Sequence, residues 1–388
     1  MQESQSVSAS PRPATVRSEW LDVVRGLAIA TVVAVHSIQV ADRLVVHSQS
    51  KLFSDFIGNG KYGVELFFFI SGWLLVSIYG QSGDSLGKSY WARRIGRIYP
   101  LWLVFLGIQL FRAQATQTGG LYTAMQPLDG EPQFFHSTAG IIVLALTFTL
   151  FISASLWNNV IPGGWSIQSE VGHYLLFPLI RNRSLNVVLV SAALVNIVTR
   201  YLRDSRPYLN AWPNGSLHVL DAWLRLGLYS TFGYFLIGIL SFLIYQGWLN
   251  TRSIQASFKS AGISWPVWAL FIPSLFIVSC PLGRQNQAYA FLIVMILVSF
   301  AIMKFTTSRR IFTVLGKYSY FIYFMHFRVL DSMERIATNI GFVGTGPGSQ
   351  ELTFVAVLVL ALGTSILFAI PSMKYFERPI IRFSHRVK

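Results

Sequence analysis

Long apolar runs recur along the chain from Trp20 almost to its C-terminus, separated by short polar interruptions. A membrane-spanning helix needs ~20 mostly apolar residues. By that ruler, hydropathy predicts candidate helices at about 20–41, 61–80, 97–112, 138–156, 165–180, 186–202, 228–246, 264–280, 287–305, 314–331 and 352–374. No polar stretch between them is long enough to form a second domain. The pattern predicts an all-α, polytopic transmembrane bundle: a disordered N-terminus over 1–18, a transmembrane domain over 19–380 and a basic tail over 381–388. The polar N-terminus has no short apolar core followed by a small-residue cleavage site, so the run from Trp20 is expected to be a retained helix. No internal repeat is visible, which weakens a transporter built from inverted halves.

Composition points the same way. The chain is 53% hydrophobic and only 12% charged, against roughly 25% charged residues in soluble domains. Charge that sparse cannot cover a water-soluble globule of 388 residues, so lipid is the main solvent. The formal charge of +15 reads as positive-inside loops before it reads as nucleic-acid binding, and no nucleic-acid partner is expected. A single cysteine, Cys280, excludes an intramolecular disulfide and a multi-cysteine metal site. The tail KYFERPIIRFSHRVK and the cluster Lys88, Arg93, Arg94 and Arg97 are strongly basic and are expected in the cytoplasm with the N-terminus, while the loop of Asp129 and Glu131 suits the outside. These placements need an even number of crossings, so about ten spans are expected and one candidate does not cross. The segment 165–180 is the expected exception. It follows Pro162-Gly163-Gly164, holds Glu170 and His173 and ends at Pro178, features of a re-entrant segment lining a cavity. That choice also places Arg252, Lys259, Lys304, Arg309 and Arg310 inside.

Several ionisable residues stand within these apolar runs, where they are costly and usually face a functional cavity. In the first, EWLDVVRGLAIATVVAVHSIQVA, Arg25 and His36 are eleven residues apart. That is three helical turns plus about 20°, so both project from one face, ~16 Å apart along the axis. Asp22 lies one turn before Arg25 and can hold its guanidinium. His36 reads either as a proton-transfer group in a cavity or as a hydrogen-bonded interhelical histidine, and Arg25 either as its functional partner or as a snorkelling side chain. The next helix, YGVELFFFISGWLLVS, carries Glu65 beside an aromatic stripe and Ser71-Gly72 in its interior. Glu65 reads also as a headgroup-boundary residue, and the glycine as a packing notch. The loop YWARRIGRIYP places Arg94 and Arg97 one turn apart if it is helical. A guanidinium pair offers bidentate recognition of phosphate, and a topogenic cluster is the alternative. In GGWSIQSEVGHYLLFP, Trp165, Glu170 and Tyr174 can line a pocket in which Glu170 orients or receives a proton. His326, in YSYFIYFMHF, reads as a packed histidine, and Glu377-Arg378 of YFERP as an interfacial anchor.

Together these segments resemble the acyltransferase-3 family of membrane acyltransferases, which includes bacterial polysaccharide O-acetyltransferases. The resemblance runs from about Trp20 to Arg382. It rests on Arg25-x10-His36 within LD-x-x-RG-x-A, then GVELFFFISGWLL, RRIGRIYP, GGWSIQSE with YLLFP, FGYFLIGIL and YFERP, in that order. It implies transfer of an acyl group, usually acetyl from acetyl-CoA, to a hydroxyl of a glycan or lipid-linked saccharide in the bacterial inner membrane. No permanently bound cofactor is implied, and acyl-CoA acts as donor substrate. His36 then corresponds to the proton-transfer residue; Glu170, read from its own segment, is expected as a further catalytic group. Arg25, Arg94 and Arg97 correspond to the expected donor-phosphate contacts, with Arg93 expected beside them, and Glu65, Ser71, Trp165 and Tyr174 are expected to form the substrate pocket. The chain departs from the family pattern at Glu65, where aspartate is more usual, at His173, where an aromatic is common, and after His326, where a proline is often present. The esterase-like domain fused to some members is not expected. Competing readings are a transporter or flippase of an anionic or lipid-linked glycan, and a non-catalytic membrane scaffold.

Overall fold

The computed structural model describes residues 19–45, 51–80, 86–116, 133–153, 156–184, 186–188, 190–191, 194–195, 197–198, 228–250 and 284–386. The expected N-terminal segment 1–18, the candidate helix 264–280, the acidic loop of Asp129 and Glu131, and Arg252, Lys259 and Cys280 lie outside these residues. In chain order the principal helices are α1 (Glu19–Leu44), α2 (Lys51–Gly58), α3 (Gly63–Tyr79), α4 (Lys88–Thr116), α5 (Thr138–Leu146), α6 (Gly164–Ile180), α7 (Leu228–Asn250), α8 (Arg284–Met303), α9 (Thr306–Asn339), α10 (Ser349–Pro371) and α11 (Arg378–Ser384). Helix is the dominant structure of the described residues, whose one extended pairing is an isolated bridge between Val45 and Gly344.

Four helical stretches among the described residues are long and apolar enough to cross a membrane: Glu19–Leu44, Phe53–Tyr79, Lys88–Ala115 and Ser349–Ser384. Shorter apolar helices cover Thr231–Gln246 and Gln287–Met303. Helix α9 has 34 residues, about 51 Å at 1.5 Å per residue, longer than a hydrocarbon core of ~30 Å. Arg309, Arg310, Asp331, Glu334 and Arg335 flank the stretch between Leu315 and Leu330 that holds its buried residues, and Lys317 and Arg328 stand near the two ends of that stretch.

The bundle is organised around α1, whose residues from Leu21 to Ile29 are all buried. A helix buried on every side belongs at the centre of a bundle, and α1 packs against α3, α8, α9 and α10. Its crossing with α9 is made by two glycines. A Cβ on Gly26 would meet the Phe312 carbonyl oxygen, and one on Gly316 would meet the Asp22 carbonyl oxygen, both far inside van der Waals contact. The α3–α7 crossing repeats the device, with Gly72 against the Phe235 carbonyl and Gly238 against the Phe69 carbonyl. Close backbone approach of this kind supplies the van der Waals packing that drives helix association where lipid removes the hydrophobic incentive. Trp20 fixes the start of α1, donating to Ser299 Oγ at 2.8 Å and stacking on Phe300.

Three segments differ from the sequence expectation. YWARRIGRIYP is not a loop but the first part of the 29-residue α4, with Pro100 inside the helix. Proline removes the N–H that would bond the Gly96 carbonyl, and at Gly96 α11 packs closely, with Ser384 against the site of a missing Cβ. The expected helix 138–156 ends at Leu146. Thr147 turns its hydroxyl back onto the Val143 carbonyl at 2.8 Å, and Phe148 adopts a left-handed φ of 56°, which drops its ring between Tyr99 and Trp102. At the C-terminus, α10 passes through a π-helical stretch, Ser372–Glu377, before α11. Glu377 is buried there and accepts from Ser372 Oγ at 3.0 Å, so it faces the protein rather than anchoring at the surface.

Candidate active site

Gly163 opens α6 with a left-handed φ of 76°. A Cβ at that position would press on Phe327 and on the Tyr323 hydroxyl at 2.9 Å, so glycine lets the loop close directly onto α9. Helix α6 has 17 residues, short of the ~20 needed to span, and it carries Ser166, Glu170 and Tyr174 toward the bundle centre. There α1, α3, α4, α6 and α9 enclose a narrow cavity of about 40 Å³. Its polar lining consists of Arg25, Ser71, Arg97, Ser166, Glu170, Ser319, Tyr320 and Tyr323, and Val64, Phe67, Phe68 and Ile167 supply the apolar wall.

Four residues expected from the sequence therefore meet on one cavity: Arg25, Ser71, Arg97 and Glu170. Arg25 is held by Asp22 through a buried ion pair of 3.5 Å, as their spacing predicts. The Glu170 carboxylate accepts from Ser71 Oγ at 3.3 Å and from the Tyr174 hydroxyl. Arg97 lies within electrostatic reach of Tyr174 and of the buried Glu377, which brings the YFERP motif to the basic cluster. Arg94 is placed differently. Its guanidinium lies over the rings of Tyr79, Tyr90 and Tyr174, 5.4–5.9 Å from their centroids, a cation–π cage that ties it to Glu170 through Tyr174. The Nε atoms of Arg93 and Arg94 are buried and have no hydrogen-bond partner among the described residues. Buried guanidinium N–H groups without an acceptor fit an anionic ligand.

The Glu170 network makes a stability prediction. Tyr174→Phe keeps the ring over Arg94 but removes one donor to a buried carboxylate, which should cost about 1.5–3 kcal/mol. Thermal unfolding in detergent checks this, and an unchanged midpoint would show that Glu170 does not depend on the tyrosine.

The remaining expected residues stand outside the cavity wall. Trp165 packs edge-on against Phe68, with ring centroids 6.3 Å apart. Glu65, in the first turn of α3, has a buried Oε2 without a hydrogen-bond partner among the described residues. His36 lies farther along α1, its ring 4.7 Å from Phe327 and 5.4 Å from His326 of α9. Both Arg25 and His36 thus face α9, in agreement with the eleven-residue spacing, and Tyr323 and His326 occupy the interval between cavity and His36. Tyr323 bonds Ser166 Oγ at 2.7 Å and the Gly163 carbonyl at 3.1 Å, and its ring is 5.8 Å from that of His326. His173 is a packing residue: fully buried, it bonds Thr231 Oγ1 at 3.1 Å and stacks on Phe235.

Tyr320, Tyr323, Ser166 and Ser319 were not anticipated as site residues. Tyr320 and Tyr323, three residues apart on α9, share one helix face, and this polar-aromatic repeat is the signal the sequence held.

An all-helical membrane bundle with arginines, a glutamate and tyrosine hydroxyls around a central cavity defines a polar reaction or binding chamber inside an integral membrane protein. The chain belongs to the acyltransferase-3 family, whose acyltransferase-domain model matches residues 18–372, and it is an acyltransferase. No curated protein and no solved structure matches the chain.

Proposed function

We propose that this protein moves an acyl group, acetyl in the simplest case, from acyl-CoA to a hydroxyl of a glycan or lipid-linked saccharide, and that it does so in the bacterial inner membrane with both termini cytoplasmic. The observation that carries the reading is the convergence of Arg25 and Arg97 on a cavity whose wall residue Tyr323 is joined by ring contacts through His326 to His36. Arg93, Arg94 and Arg97 neutralise the donor phosphates at the cytoplasmic end, where the buried Nε atoms of Arg93 and Arg94 find acceptors. The pantetheine arm extends past Arg25, and the ~16 Å from Arg25 to His36 suits its length. Glu170, Ser71 and Tyr174 shape the passage, with Trp165 and Glu65 around it.

At His36, Nδ1 faces the Gln39 Oε1 at 3.1 Å. With that oxygen accepting from Nδ1–H, Nε2 is left as the base. Nε2 takes the proton of the acceptor hydroxyl as its oxygen attacks the thioester carbonyl carbon. The new C–O bond forms, the C–S bond breaks, and the proton passes from His36 to the departing thiolate to give free coenzyme A. Histidine suits this exchange because its ordinary pKa lies near neutrality.

Arg97→Ala should raise the apparent KM for acetyl-CoA about tenfold or more, the worth of a charge-assisted phosphate contact, with kcat largely retained. A loss of kcat alone would argue against a donor-phosphate role.

A further inference from the structure

Arg328 follows Phe327 on α9, and the Phe327 ring packs on His36 with centroids 4.7 Å apart. The Nη1 of Arg328 is buried without a hydrogen-bond partner, and no carboxylate pairs with its guanidinium, among the described residues. Its charged neighbours at this end of the bundle are matched. Arg43 is held by Glu334 through two bonds of 2.6 and 2.7 Å, and Asp331 takes Arg112 at 3.0 Å and Arg335 at 3.3 Å. Asp42 accepts from Gln350 and Ser54. A buried guanidinium without a partner is costly, and an ionisable residue kept within a membrane helix points to function.

The seam between α4 and α9 places Arg328 further. Phe105 stacks on Phe324 at 5.0 Å, and two turns on Arg112 pairs with Asp331. Gln109, one turn after Phe105, and Arg328, one turn after Phe324, therefore stand at the same level between those contacts. Gln109 is 7% exposed, whereas the side chains of Arg112 and Asp331 are 26% and 39% exposed, so the seam opens to solvent one turn beyond. Gln109 also lies ~18 Å past Arg97 along α4, close to the ~16 Å that separates His36 from Arg25 along α1. Arg328 is thus at the depth of His36, and an anion beside it is not a phosphate held by the Arg93–Arg97 cluster.

We propose that Arg328 is a specificity-determining residue for the acceptor: its guanidinium binds an oxyanion of the molecule whose hydroxyl is acylated, so that anionic acceptors are preferred to neutral ones. The planar fork suits the paired oxygens of a sugar carboxylate or of a lipid-carrier phosphate. The inference rests on the proposed acyl transfer to a glycan or lipid-linked saccharide.

Four probes test it: acidic host polysaccharide, the same material after reduction of its carboxyl groups, and host lipid-linked saccharide intact or freed of carrier phosphate by mild acid. With labelled acetyl-CoA, Arg328→Gln should raise the apparent KM for the anionic acceptor about 10- to 100-fold, as expected for a lost charge-assisted contact. The donor KM should be unchanged. The thermal midpoint should not fall, because the substitution removes an unpaired buried charge. Arg328→Lys should recover part of the loss, since it keeps the charge without the fork. A wild-type preference abolished by carboxyl reduction identifies the sugar carboxylate, and one abolished by mild acid identifies the carrier phosphate. An unchanged acceptor KM in Arg328→Gln, or a wild type that uses the neutralised acceptors as well as the native ones, would overturn the proposal. Equilibrium binding of the tritium-labelled native materials to purified protein gives a readout independent of turnover. The wild type should bind one of them at least about tenfold more tightly than Arg328→Gln, and equal binding would also overturn the proposal. A wild type that consumes no thioester contradicts the acyl-CoA reading instead, and the binding comparison still decides the role of Arg328.

Discussion

Membranes carrying His36→Ala should release no coenzyme A above background, while the variant inserts and unfolds at the wild-type temperature. A positioned general base contributes about 10²–10⁴-fold, and the neighbouring imidazole, that of His326, is fully buried. The fold should survive because the hydrogen bond lost with the ring is to Gln39, one turn away on the same helix, while the glycine crossing of α1 and α9 lies ten or more residues distant. Full turnover in the variant would remove His36 from the mechanism. A variant that fails to insert or unfolds early would favour the scaffold reading, in which the histidine pairs helices.

Gly316→Val should have the largest effect on stability. Its Cβ would collide with the Asp22 carbonyl oxygen, which belongs to helix backbone and cannot rotate away. The helices must part, and the reciprocal contact of Gly26 on Phe312 opens with them. Overpacking typically costs about 1–3 kcal/mol, and loss of contacts along the central crossing should carry this variant to the upper end or beyond. Asp22 also holds Arg25, so donor affinity should fall in any protein that still folds. Gly107→Ala is the control. Nothing lies within 4 Å of its Cβ position, and exchanging helical glycine for alanine is favourable by about 1 kcal/mol. Thermal unfolding in detergent distinguishes them; equal midpoints for Gly316→Val and wild type would refute the close crossing.

The first helix was the most legible element. Its apolar length gave α1, and the eleven-residue spacing placed Arg25 and His36 on one face, which the structure turns toward α9. The Asp22–Arg25 pair is local and followed from one helical turn; the bond from Tyr174 to Glu170, four residues before it, is equally local but was not among the sequence expectations. What escaped the sequence were contacts between distant segments. Ser71 reaches Glu170 across 99 residues, and the cage around Arg94 draws Tyr79, Tyr90 and Tyr174 from different helices. The aromatic run YSYFIYFMHF looks like lipid-facing surface until α1 and α6 cover it, whereupon Tyr320 and Tyr323 become cavity wall. RRIGRIYP read as a loop because its charges and Pro100 are boundary signals, yet α4 runs helically through it and packs against α11 at Gly96.

Transfer of labelled acetyl from acetyl-CoA tests the central claim most directly. Membranes containing the wild-type chain, supplied with host lipid and polysaccharide extract, should release coenzyme A and place the label in ester linkage on a saccharide, and His36→Ala membranes should do neither. A correctly inserted wild type that consumes no acyl thioester, yet moves a lipid-linked glycan across the bilayer, would contradict the account.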